Sequence, residues 1–178
     1  MLLIALGADH VLRHVRPRRA AALLALALVP ALAQDGLLVA APAHALLVPF
    51  DRWQYVQGWP SGYGFPETVA WLKRAARRGP VVVACSFVNP PGDALHEELD
   101  GDRNVTIMLL NLGDAKAETA FAHAHPGAFI VTDEQTGPPA LDATLRARVR
   151  EVARFWKPGR RAAYVIYQVL HPTTQQTG

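Results

Sequence analysis

The sequence contains several side chains that could act as nucleophiles, acids, bases or metal ligands. His123 and His125 are separated by one residue, as metal ligands can be, but they precede Pro126-Gly127, which is typical of an ordinary helix end at the surface. Ser86 and Asp133 each follow an apolar run, and no Gly-x-Ser-x-Gly motif surrounds Ser86. A small hydrolase or transferase that uses Ser86, Asp133 and one of the histidines is therefore kept only as a rival hypothesis, and Asp133-Glu134 is expected to be a solvated pair.

Phosphate and cysteine chemistry are poorly supported. The residues after the first predicted strand, CSFVNPPGD, contain two prolines, which lack the backbone N–H groups that a phosphate cradle requires. Gly62-Tyr63-Gly64 matches only the Gly-x-Gly part of a phosphate-binding motif, and a tight turn explains these two glycines. Cys85 is the single cysteine, so neither an intramolecular disulfide nor a Cys-rich zinc site can form, and its apolar neighbours predict a small core residue. We expect no metal and no cofactor in this chain.

An aromatic segment, defined as residues 50–65, is the most informative stretch. It reads FDRWQYVQGWPSGYGF, and its three glycines and one proline argue against a regular helix or a central strand, so we expect a structured loop. Aromatic rings with a polar tip can stack on sugars or lie at a membrane interface. The alternative is that these rings pack onto the adjoining domain. The candidate binding residues are Asp51, Gln54, Tyr55, Trp59 and Tyr63.

Charge argues against nucleic acid as a partner. Four of the 18 Lys+Arg residues and one of the 15 Asp+Glu residues precede residue 20, so 14 of each remain in the rest of the chain. A nucleic-acid-binding protein needs a basic face for the phosphates, whereas the excess charge here lies beside an apolar run. The sequence pI near 9.4 therefore reflects the N-terminal segment.

The N-terminal segment is typical of a protein directed to a membrane. Residues 13–19 are rich in arginine, and residues 20–33 are apolar. A signal peptide cleaved after Ala33 and a transmembrane helix extending towards Ala45 both fit. Residues 1–7 resemble the end of a preceding membrane segment, which would make residues 13–19 a cytoplasmic loop. Either alternative places the chain after about residue 34 outside the cytoplasm.

Residues 66–170 predict a small α/β domain. Apolar runs alternate with helical patterns over short connections, which is the pattern of a mainly parallel sheet of about four strands in a three-layer, Rossmann-like fold. Apolar and polar residues alternate more clearly in residues 162–170 than in the other runs, so we expect this strand at a sheet edge. The other elements are predicted at 66–78 (helix), 81–87 (strand), 93–99 (helix), 105–110 (strand), 114–124 (helix), 128–132 (strand) and 138–156 (helix, with the clearest periodicity).

The junction between these two parts resembles a known family. The stretch AAPAHALLVPFDRWQYVQGWPSGYGFPETVAWL is similar to the junction between the last transmembrane helix and the extracytoplasmic C-terminal domain of bacterial GT-C type membrane glycosyltransferases, the relatives of protein O-mannosyltransferases and aminoarabinose transferases. The resemblance is strongest over residues 51–71 and extends loosely to about residue 170. The matching positions are Asp51, Gln54-Tyr55, Gly58-Trp59, Ser61-Gly62 and Gly64.

The resemblance implies a fold and a function. Enzymes of this family use a polyprenyl-phosphate sugar as donor, and their catalytic acids lie in early loops that this sequence lacks, so no catalytic residue is carried over. It implies an extracytoplasmic accessory domain in the cytoplasmic membrane, whose partners are the membrane, the multi-helix membrane body of the enzyme and a lipid-linked sugar. The alternative is a secreted carbohydrate- or peptide-binding protein that begins at Gln34. The sequence itself divides the chain into 1–19, the end of an apolar segment and a cationic loop; 20–45, a transmembrane helix or signal peptide and a linker; 46–65, the aromatic and Gly-rich loop; 66–170, the α/β domain; and 171–178, a flexible tail.

Overall fold

The computed structural model describes residues 17–86, 92–134 and 141–171. Two predictions, the apolar segment at 1–7 and most of the tail at 171–178, lie outside these residues. The chain divides into two compact units, Met1–Leu46 and Leu47–Gly178.

The first unit is built around one long helix, α1 (Pro17–Ala40), which contains Pro30. By length and composition this helix could cross a membrane, and its most apolar stretch is not buried within the protein. At 1.5 Å per residue it is about 36 Å long, enough for the hydrocarbon core of a bilayer. A single 3₁₀ turn, Pro42–His44, follows. The side-chain amide of Gln34 then bonds both backbone groups of Leu46, at 2.9 and 3.1 Å, and so holds the chain back against the helix.

The second unit begins with short helical turns where a loop is predicted. Helix α2 (Pro49–Arg52) runs into a π-helical turn, Trp53–Gln57, and then a 3₁₀ turn, Trp59–Ser61. The glycines still serve as breaks between these turns, because Gly58 ends the π-helical turn and Gly64, at φ 83°, precedes helix α3 (Phe65–Ala76). The segment is therefore ordered helical structure, interrupted at each glycine.

The domain contains one five-stranded sheet. Its strands are β1 (Val81–Ser86), β2 (Val105–Leu110), β3 (Phe129–Glu134), β4 (Val149–Trp156) and β5 (Ala163–Val169), in the spatial order β2-β1-β3-β5-β4. Strands β1, β2 and β3 are parallel, as predicted, whereas β5 runs antiparallel to both β3 and β4. The prediction of an α/β domain is confirmed, but the sheet is mixed and has five strands rather than about four. The expectation that residues 162–170 form an edge strand is also wrong, because β5 lies inside the sheet and is almost wholly buried.

The predicted long helix at 138–156 is wrong. In its described part, residues 141–156, the chain forms a single helical turn, α6 (Ala143–Arg146), and then strand β4. A β-bulge between Glu151 and Ala153 shifts the register, so that Val152 and Ala153 pack on the same face of the sheet. A bulge breaks the two-residue alternation of a strand, and apolar residues three apart then give the spacing of a helix.

Helices cover both faces of the sheet and give three layers. On one face, α3 and α4 (Gly92–Leu99) cover a core cluster centred on Leu72, Leu95 and Ile166. On the other face, α5 (Ala115–Ala124) and α6 cover a second cluster centred on Phe121, Leu145 and Val165. Successive β5 residues alternate between the two clusters, as the pleat of a strand requires.

Candidate functional site

A buried lysine lies at the end of the sheet where β3 and β4 finish. Lys157 follows β4 directly and is 1% exposed. Its Nζ lies 2.8 Å from the carboxylate of Asp133, on β3, and donates a hydrogen bond of 3.0 Å to the carbonyl of Gly58 in the aromatic segment. The same ammonium lies 4.7 Å from the ring centre of Tyr164, on β5. One side chain thus joins two strands to the aromatic segment.

Burial and charge act in opposite directions on this lysine. Removal from water lowers the pKa of Lys157, while the hydrogen bond and the charge of Asp133 raise it in part. Burial, with a smaller contribution from the Asp133 charge, raises the pKa of Tyr164. The Asp133 side chain is only 5% exposed, so the expectation that Asp133-Glu134 is a solvated pair is wrong. Because Lys157 is shielded from solvent and forms an ion pair with Asp133, we assign it a structural role, which is to hold the aromatic segment in place through the Gly58 carbonyl.

Close packing fixes the aromatic segment onto the sheet. Val56 is 1% exposed, and the ring of Phe65 meets that of Tyr164 edge-on, with centres 6.1 Å apart. A Cβ added at Gly58 would lie 2.6 Å from the Trp53 carbonyl oxygen, so this position has no room for a side chain. Part of the segment therefore packs onto its own domain, as the alternative interpretation of the sequence holds.

Other rings of the segment remain in solvent. Phe50 is 67% exposed, Tyr55 55% and Tyr63 37%, although buried neighbours on the same short turns hold the backbone in place. Exposed rings on a fixed backbone lose little conformational entropy when they bind a surface or a ligand. The segment thus presents an ordered, partly apolar surface.

The five candidate binding residues lie on this one segment. Asp51 and Gln54 are half-buried, while Tyr55 and Tyr63 are exposed. Trp59 begins the 3₁₀ turn Trp59–Ser61, and its side chain lies outside the part that the structure describes. In that part, no hydrogen bond or ion pair joins the other four side chains to one another, and Tyr55 and Tyr63 are open to solvent.

On the opposite face, a second polar cluster ties the three strands β3, β5 and β4 together. Arg154 lies 2.9 Å from Glu134 and 2.6 Å from Glu151, and the Tyr167 hydroxyl donates a hydrogen bond to Glu134. The hydrogen bond to Arg154 lowers the pKa of Glu151, and pairing with both carboxylates raises the pKa of Arg154. Burial and Glu134 raise the pKa of Tyr167. These groups satisfy one another and cross-link the sheet.

The structure separates His123 and His125 from Asp133. The Nε2 of His123 lies 2.7 Å from an Arg148 guanidinium nitrogen, and the His125 ring packs on Phe121. Both histidines precede β3, whereas Asp133 is the fifth of its six residues and lies about 13 Å from the start of the strand. A catalytic group of Ser86 and Asp133 with either of them is therefore not formed. Within the described ranges, no three His, Cys, Asp or Glu side chains converge as metal ligands.

Sequence reasoning missed Lys157 because it falls in Lys157-Pro158-Gly159, a typical end of a structural element. A lysine gives no sign of burial when its partners, here Asp133 and the Gly58 carbonyl, are distant in sequence. A weak signal was available in Asp133-Glu134, since paired acids directly after an apolar strand can require a cation. Comparisons with models of protein families, with curated proteins and with solved structures find no match. The function must therefore be argued from the surface itself.

Proposed function

We propose that this chain is a membrane-anchored, extracytoplasmic accessory domain of a GT-C type glycosyltransferase and that it does not transfer sugar by itself. The observation that carries the proposal is the aromatic segment, which Lys157 and Val56 fix to a rigid sheet while Phe50, Tyr55 and Tyr63 remain exposed. We assign this surface to the lipid headgroup region, where it meets the lipid-linked sugar or the membrane body of the enzyme.

Connectivity supports the membrane assignment. Helix α1 ends at Ala40 and α2 begins at Pro49, so the aromatic segment follows the apolar helix by a short connection. Val48 and Phe50, in that connection and the first turn, are 62% and 67% exposed. Apolar and aromatic side chains of this kind are stabilised at a bilayer interface. The arginines before α1 favour a cytoplasmic N-terminal side, which directs the domain outward.

The buried polar groups support a positioning role over catalysis. Lys157 and Asp133 pair with each other in the interior, and Arg154 pairs with Glu134 and Glu151. A general acid or base must reach a substrate proton within hydrogen-bond distance. The exposed groups of the aromatic segment are instead suited to contact with a ring or a lipid.

Localisation is the first test. The full chain is expressed in a bacterium with a C-terminal tag, and its fractionation, carbonate extraction and N-terminal sequence are measured. We expect an intact chain in the membrane fraction, with the tag open to protease in spheroplasts and protected in inverted vesicles. A soluble product that begins at Gln34 would overturn the anchor and favour the secreted binding protein.

Photo-crosslinking tests the surface itself. A benzophenone amino acid replaces Tyr55 or Tyr63 in the full chain, which is reconstituted in bilayer nanodiscs with and without polyprenyl phosphate. The matched control carries the same group at Leu170, which follows β5 at the opposite end of the sheet and is 43% exposed. We expect lipid adducts from positions 55 and 63 at least about fivefold above position 170. Equal yields at all three positions would contradict the proposal.

A further inference from the structure

A cleft of about 740 Å³ opens on the sheet face that α3 covers, and no part of the aromatic segment lines it. It lies where β1 and β3 begin, whereas Lys157 anchors the aromatic segment where β3 ends. The cleft is therefore at the opposite end of the strands from the surface assigned above. Its volume is within the range of small-molecule sites. The residues that bear on its chemistry are Trp71, Arg74, Arg78, His125, Phe129 and Gln168.

The rim of the cleft is cationic. Arg74 lies in the last turn of α3 and Arg78 follows the end of that helix by two residues, and among the described residues no Asp or Glu side chain lines the cleft. Across residues 17–86, 92–134 and 141–171, neither arginine forms an ion pair. The partial negative charge of the helix C-terminus favours a cation at this position. It does not explain why Arg74 and Arg78 line the cleft while Arg77, which directly follows α3, does not. Two guanidinium groups that line one cleft, with no ion-pair partner among the described residues, favour an anion between them.

The inner wall is apolar and ordered. The Trp71 indole meets the Phe129 ring edge-on, at 90° with centres 5.0 Å apart, which fixes the orientation of both rings. Val152 adds an aliphatic surface, and the Gln168 amide is held by Arg150 at 3.3 Å. A ligand with a planar or apolar body can lie on this wall.

We propose that this cleft binds a small organic anion, with a phosphate or carboxylate group between Arg74 and Arg78 and its apolar body against Trp71. The guanidinium fork matches the paired oxygens of both anions. The cleft goes beyond the accessory role proposed above and does not depend on it, since none of its lining residues belongs to the aromatic segment or to α1.

Binding is tested by isothermal titration of the full chain in detergent micelles with phenyl phosphate, benzoate and inorganic phosphate. We expect saturable binding of phenyl phosphate or benzoate, several-fold tighter than inorganic phosphate, and the tighter of the two identifies the anionic group. The double variant Arg74→Gln/Arg78→Gln should weaken that binding about tenfold or more. Trp71→Phe should weaken the binding of the aromatic ligand but not the binding of inorganic phosphate.

Arg77→Gln is the matched control, because it removes the same charge from the same helix turn outside the cleft. It should leave the dissociation constant within about twofold. All three arginines are exposed, so thermal unfolding should be unchanged in each arginine variant. Absence of saturable binding of both phenyl phosphate and benzoate would overturn the proposal. An equal loss in Arg77→Gln would also overturn it, because the binding would then follow net charge alone.

Discussion

At the scale of single residues, Lys157 has the most consequential environment. Its ammonium is buried with the Asp133 carboxylate, and each of these two charges compensates the other, while the Gly58 carbonyl and the Tyr164 ring further stabilise the ammonium. Taking two charges out of water is costly, so such a pair adds little to stability when intact, yet removal of one partner leaves an uncompensated buried charge. The pair therefore acts mainly as a specific connection between the sheet and the aromatic segment.

We predict that Lys157→Met lowers the free energy of unfolding by about 3–5 kcal/mol, because it leaves the Asp133 carboxylate buried without its cation. Urea unfolding monitored by circular dichroism measures the change. Lys73→Met, the same substitution at an exposed position of α3, should change stability by about 0.5 kcal/mol or less. The double variant Lys157→Met/Asp133→Asn should recover part of the loss, and a double variant as unstable as the single one would contradict the charge argument.

A second residue-scale prediction concerns Cys85. Burial, with a smaller effect of Asp93, raises the pKa of the Cys85 thiol to about 12. Since the folded pKa exceeds the unfolded one, this thiol contributes stability that is complete below about pH 9 and is lost as the pH rises towards 12. We predict that stability falls more steeply from pH 8 to pH 10 in the natural protein than in Cys85→Ala, by about 1 kcal/mol. Parallel slopes in urea unfolding would contradict this prediction.

Single residues also show where sequence reasoning fails. Cys85 was predicted to be a small core residue from its apolar neighbours, and it is fully buried. Lys157 and Asp133 could not be paired in the same way, because their contact depends on how β3 and β4 meet in space. Local pattern identifies burial within a strand, whereas the partner of a buried charge is a property of the assembled sheet.

At the scale of elements, the predictions succeed where the signals are local. A helix was predicted at residues 114–124, and the Asp114 carboxylate caps it by accepting hydrogen bonds from the backbone N–H groups of Lys116 and Ala117. The apolar run at residues 105–110 forms β2 with the predicted bounds. Strand β4 was mispredicted because its bulge replaces the alternation of a strand with the spacing of a helix. Glu151 and Arg154 also form an ion pair three residues apart, as they would in a helix. Only pairing with β5 decides between the two structures.

One buried acid joins two elements in a way that can be tested. Glu118, on α5, is 0% exposed and accepts hydrogen bonds from the backbone N–H groups of Gly113, at 2.6 Å, and Asp142, at 2.9 Å. We predict that Glu118→Ala lowers the free energy of unfolding by about 2–4 kcal/mol, because both donors lose their acceptor. Glu118→Gln, which keeps one acceptor oxygen, should lose less.

Glu97→Ala provides the control for this acid, since Glu97 is an exposed helical glutamate on α4. Its change in stability should stay within about 0.5 kcal/mol. Equal losses in Glu97→Ala and Glu118→Ala would show that helix propensity, and not the two hydrogen bonds, sets the cost.

At the scale of the whole molecule, the direction of the last two strands could not be predicted. Apolar runs joined by helical patterns indicate parallel strands, and residues 81–134 follow that rule. Strands β4 and β5 are instead joined by a tight hairpin, in which Gly159 and Arg160 adopt positive φ angles of 81° and 54°. Once residues 138–156 are predicted to be a helix, the turn at Gly159 is interpreted as the end of that helix. One wrong element therefore reverses the predicted direction of β5 and places it at the edge of the sheet instead of the interior.

The last prediction concerns the independence of the second unit. Both core clusters of the sheet are built from residues between Phe65 and Val169, which all belong to the second unit. A domain with its own core should fold alone, so we predict that residues 47–178 form a folded protein without α1. Its near-ultraviolet circular dichroism should match that of the full chain in detergent, and its melting temperature should agree within about 3 °C. A product that keeps far-ultraviolet signal but loses near-ultraviolet signal would contradict the prediction and show that α1 contributes to packing.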